Sequence, residues 1–91
     1  MIIMNLRPAT QAEERGMRLL AHFDAQITPD IRMYNLRLLE AADGNRCVYA
    51  AQAGPRRSAT FAMPLATKLT EAASAALTEA VTAHDVSIRL Q

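Results

Sequence analysis

From Met17 to Gln52 apolar and polar residues largely alternate with a period of two, in three stretches separated by Thr28-Pro29-Asp30 and by Ala41–Asn45. Successive side chains of a strand point to opposite faces, so this alternation predicts half-buried strands. Tight turns between them require antiparallel pairing. Pro29 presets φ, and Asp30 suits a turn that closes on its own side chain. Asp43-Gly44 accepts the positive φ of a short hairpin. One face of the first strand carries Met17, Leu19, Ala21 and Phe23; the other carries Arg18, Leu20, His22 and Asp24. In the second strand, Ile31–Glu40, Tyr34, Leu36 and Leu38 oppose Met33, Asn35, Arg37 and Leu39. In the third, Cys47–Gln52, Val48 and Ala50 oppose Cys47, Tyr49 and Ala51.

The flanks extend this plan. Ile2–Leu6 is a short apolar run ended by Pro8, which suits an edge strand. Ala9–Gly16 is polar and predicts a loop, as does Ala53–Ser58; Ala59–Met63 predicts a short extended piece. Pro64 fits the first turn of a helix, where its missing N–H costs nothing. Beyond it Leu65, Leu69, Ala72, Ala73, Ala76, Leu77, Ala80 and Val81 recur at three- and four-residue spacing, the stripe of an amphipathic helix. Alternation of Val86, Ile88 and Leu90 then predicts a final short strand. The expected fold is α+β: an antiparallel sheet of about four to five strands, one long C-terminal helix and that terminal strand.

A chain of 91 residues has room for one domain, spanning 1–91. So small a core gains from self-association. Aromatics make up only 4% and there is no Trp, so the interior must be aliphatic and the layers thin. The net charge of +1 excludes strong non-specific attraction to nucleic acid through bulk charge. Up to Met63, however, eight Arg face six acids. A single Cys47, no signal-type h-region and no run of membrane-spanning length together point to the cytoplasm, with no membrane association.

The chain carries no convincing catalytic set. His22, Cys47 and His84 lack metal-ligand spacing, Ser58 lacks a nucleophile-elbow context, and Gly16, Gly44 and Gly54 form no phosphate loop. Glu13-Glu14 is a solvated pair in a loop. The expectation is a binding protein, not an enzyme, without metal or cofactor. Arg56-Arg57 in a Gly-Pro loop presents forked donors suited to phosphate oxygens. Lys68 opposes the helix dipole where an acid is favoured, which makes sense if an anion docks there. The competing reading is an exposed loop kept soluble by charge. On the sheet face away from the helix, Arg18, His22, Asn35, Arg37 and Tyr49 interleave basic and aromatic groups as a nucleic-acid platform would. Leu20, Met33 and Leu39 share that face and predict a dimer contact.

Met33-Tyr34-Asn35-Leu36-Arg37-Leu38-Leu39, running on to Asp43-Gly44 and Val48, is similar to the central hairpin of the SpoVG family (stage V sporulation protein G, septation regulator). Phe61-Ala62-Met63-Pro64-Leu65 resembles the junction that opens that family's helix, with Met63 where the family usually has His. The resemblance runs from about Gly16 to Ala83. It implies a small homodimeric regulator that binds DNA or RNA. The alternative is a small protein–protein interaction module, or a mobile-element-encoded regulator, that uses the same sheet against a protein partner.

Overall fold

The computed structural model describes residues 1–9, 13–14 and 16–89, with the backbone alone for Glu14 and for 83–89. In chain order the strands are β1 (Ile2–Pro8), β2 (Glu13–Glu14), β3 (Met17–Thr28), β4 (Ile31–Glu40), β5 (Arg46–Tyr49), β6 (Gln52–Ala53) and β7 (Arg56–Arg57). Among the described residues one helix, α1 (Leu65–Arg89), follows them. The main sheet is antiparallel in the order β1-β3-β4-β5, with β2 paired to the start of β3; β6 and β7 form a separate hairpin. The chain is therefore an α+β protein: a four-stranded sheet, a small hairpin and one C-terminal helix.

Both main turns follow from their residues. At Thr28-Pro29-Asp30-Ile31 the Asp30 amide donates to Thr28 Oγ1 at 3.1 Å, so the threonine hydroxyl caps the turn rather than the aspartate. At Ala41–Asn45 Gly44 adopts φ +90° while Asp43 accepts from the Asn45 amide at 3.0 Å. Segment 53–58, expected as a loop, instead closes as the β6–β7 hairpin around Gly54 (φ +65°). Ser58 ties it down by donating from both its amide and its hydroxyl to the Ala51 carbonyl, at 3.0 and 2.7 Å.

The core lies between the sheet and the helix. Ala21, Phe23, Leu36, Leu38 and Val48 are buried there against Leu69 and Ala73, with Leu65 and Leu77 packed at the margins. The helix meets the sheet along an i, i+4 line in which Ala73 lets the backbone approach closely. That line leaves the sheet by Val81, which is 47% exposed. The helix then continues through Val86 and Ile88, where a terminal strand is expected from the sequence; Leu90 and Gln91 lie outside the described residues. Extending an established helix costs little per residue, and among the described residues no partner strand lies ready to offer a competing ladder.

Four register shifts decide which side chains reach this core. Between Leu19 and Ala21, β3 advances two residues while β4 advances one. Between Leu36 and Met33, β4 advances three while β3 advances two. A third shift lies between Gln26 and Thr28, and β1 shifts between Met4 and Arg7. Each inserted residue reverses the facing of everything beyond it. Three face assignments from the sequence are thereby corrected. Leu19 pairs with Leu39, outside the helix-side core, and Met17 lies with this second group, its sulfur 3.8 Å from Cys47 Sγ. Tyr34, expected inside with Leu36, is 63% exposed. Leu20 and Met33, expected outside, pack against the helix-side core.

Candidate nucleic-acid interface

Backbone pairing aligns one residue from each main strand across the sheet: Arg7 with His22, His22 with Arg37, and Arg37 with Tyr49. Paired residues of neighbouring strands project to the same face, roughly 4.8 Å apart. Arg37 alternates with buried Leu36 and Leu38, and Tyr49 with buried Val48 and Ala50. This row therefore faces away from the helix. Arg7 is exposed, His22 and Tyr49 are half-buried, and Arg37 is buried with one guanidinium nitrogen donating to the Ala50 carbonyl at 3.0 Å. His22 Nδ1 is buried with no hydrogen-bond partner among the described residues.

The β6–β7 hairpin adds a fifth group. Arg57 lies over the Tyr49 ring, its guanidinium carbon 4.4 Å from the ring centroid. At that distance the cation meets the negative face of the ring quadrupole. Beside it Arg56 is exposed, and Gln52, the cross-strand partner of Arg57, is exposed as well.

Arg56, Arg57 and Lys68 were the sequence's anion-site residues, and they do not form one cluster. Arg57 stacks on Tyr49, facing away from the helix, while Lys68 is exposed in the first turn of α1 on the other side of the sheet. Arg18, expected beside His22 and Arg37, also lies on the helix side. It pairs with Glu40, which accepts from Arg46 as well at 3.0 Å. These two guanidinium partners, Arg46 first and Arg18 second, hold the Glu40 carboxyl below its usual range. The expected dimer contact is not an exposed face either. Leu39 is fully buried within the protomer, and Leu20 and Met33 belong to the core margin.

Behind the row lies a polar pin. Asp24, in the middle of β3, accepts from the Asn35 amide at 2.9 Å and from Asn5 Nδ2 at 3.0 Å. Asn5 and Asn35 sit at the register shifts of β1 and β4, with φ +52° and +56°. Asparagine tolerates this left-handed backbone better than most residues. The two hydrogen bonds, the Asn35 amide above all, hold the Asp24 carboxyl below its ordinary range, with smaller help from the charges of Arg7 and Arg32. By fixing both shifts, Asp24 sets the phase that aligns Arg7 with His22. Sequence reading missed Arg7 for this reason. The one available signal was an asparagine inside each of two strands.

A second feature lies at the open edge. A mostly apolar trough of about 330 Å³ runs between β5 and the helix, lined by Arg46, Cys47, Val48, Met63, Ala66, Thr67, Thr70 and Glu71. Among the described residues no three His, Cys, Asp or Glu side chains converge as metal ligands, and no helix is long and apolar enough to cross a membrane. Sheet, helix and cation–aromatic row together define a two-layer α+β protein whose polar sheet face lies away from its only described helix. Compared with known proteins, the chain matches no family model, no curated protein and no solved structure.

Proposed function

We propose that this chain is a small non-enzymatic regulator that binds nucleic acid through the sheet face away from the helix. The observation that carries the reading is the Arg57–Tyr49 stack at the end of the Arg7, His22, Arg37, Tyr49 row. Cations beside an aromatic on a sheet are suited to phosphates and bases together. Arg56 and Arg57 supply two phosphate contacts and Arg7 a third. The resemblance to the SpoVG family supports the same reading.

Three contacts per protomer imply modest affinity and a log–log salt slope of about −2 on single strands or about −3 on duplex. Fluorescence anisotropy at several salt concentrations measures it. Replacing Arg56 and Arg57 together with Ala should flatten the slope, and Arg7→Ala should remove about one further contact. Lys68→Ala should leave binding unchanged; if it weakens binding and Arg7→Ala does not, the anion site is at the helix start instead. Undiminished binding by the double variant excludes the sheet-face site.

A protein-partner reading has its own observation, the apolar trough beside the unpaired edge of β5, which suits an added strand with side chains in the trough. Absence of binding to any nucleic-acid probe at low salt would favour it.

A further inference from the structure

We infer that the outer face of the Arg57 guanidinium is a stacking site for one unpaired nucleobase, so that this protein selects single-stranded over duplex nucleic acid. The inference rests on the nucleic-acid reading above and adds the form of nucleic acid and the contact that recognises it.

The geometry is that of a half-built stack. The Arg57 guanidinium carbon lies over the Tyr49 ring, 4.4 Å from its centroid, and the residue is otherwise exposed, so the side of the guanidinium away from the ring is open to solvent. Bases stack on arginine planes as well as on aromatic rings. Here the ring behind the arginine holds it flat, and the hairpin closed by Ser58 on Ala51 anchors its backbone. Much of the rotamer entropy that a free arginine would lose on binding is therefore already spent. Gln52, paired with Arg57 across the hairpin, is exposed beside it and offers a polar side chain on the same strand pair. From Tyr49 the row leads through Arg37 and His22 to exposed Arg7, giving the backbone of the same strand a cation at the far side of the sheet.

A duplex keeps its base faces inside its own stack and presents only edges and phosphates, so it gains nothing from this plane. An unpaired strand exposes base faces and gains the stack at each encounter. With one such plane in the row, one base is recognised and the remaining contacts go to phosphate.

The test compares four fluorescein-labelled probes of equal length by anisotropy: single-stranded DNA, RNA of the same sequence, the corresponding duplex, and an abasic deoxyribose-phosphate strand. Arg57→Lys keeps the charge and removes the plane; thermal unfolding followed by circular dichroism checks that it retains the fold. The parent should bind one or both based single strands about tenfold more tightly than the abasic strand. Arg57→Lys should bring that ratio close to one, with the loss falling mainly on the based strands. Equal affinity of the parent for single strand, duplex and abasic probe would overturn the base site while leaving phosphate binding intact. So would an unchanged ratio in Arg57→Lys. Binding to none of the four would remove the nucleic-acid reading itself.

Discussion

Asp24 is a buried carboxylate without a cationic partner at hydrogen-bond distance among the described residues; it accepts an amide from β4 and a side-chain amide from β1. Because those bonds favour the ionised form, its carboxyl titrates below the value it has in the unfolded chain. The sign follows directly. The stability it contributes is present at neutral pH, above the unfolded value, and is lost as pH falls through the folded one. Asp24→Asn should therefore lower the urea midpoint at pH 7, and the gap from the parent should narrow on acidification. Comparison of the two proteins at each pH is needed because Glu40 shifts in the same direction. A gap independent of pH would remove the carboxylate from this role. Leu39, fully buried beside Leu19 and Cys47, belongs to stability rather than assembly. Leu39→Ala should cost about 2–5 kcal/mol in urea unfolding. Leu39→Lys should unfold the protomer before any question of association arises.

The two glycine hairpins offer a contrast between elements of similar geometry. Gly44 turns β4 into β5 inside the main sheet, and Gly54 turns β6 into β7 outside it, both with positive φ. An alanine in that conformation costs about 1–2 kcal/mol. In Gly44→Ala the strain loads a hairpin whose strands contribute Leu38 and Val48 to the core, so the global unfolding midpoint should fall. In Gly54→Ala it loads a hairpin of two-residue strands, which yields locally instead. Single-strand binding should drop several-fold in that variant while the melting temperature hardly moves. Equal losses of stability in both would mean that the small hairpin is part of the cooperative fold.

At the scale of the whole molecule, one main sheet, a small hairpin and the described helix give a thin body, 44 × 34 × 23 Å, and among the described residues both outer strands of the main sheet are unpaired along one edge. An unpaired edge is a ready template for a second chain. With Leu20, Met33 and Leu39 inside the protomer, the homodimer expected from the sequence would have to form through the open edges β1 and β5. Light scattering should then give twice the 10.0 kDa chain mass. Lys at Ile2, exposed on β1, or at Met63, exposed beside β5, should restore the monomer and show which edge is used. A monomeric parent would remove the dimer, and with it the gain in affinity from two linked faces.

Local chemistry made much of this fold readable along the chain. Period two in the strands, Asp43-Gly44 at a turn, Pro64 ahead of the helix and the Leu65–Leu69–Ala73–Leu77 line each depend on residues within a few positions of one another. Arg57 was also recognised in advance as a surface cation. Its stacking on Tyr49 was not, and neither were the burial of Leu39 and the alignment of Arg7 with His22. Those depend on which residue of one strand faces which residue of the next. Four register shifts, two of them pinned by Asp24 through Asn5 and Asn35, reset that pairing across the sheet. A one-residue shift sends every later side chain to the other face, and its energetic cause lies in contacts between strands that are distant in sequence.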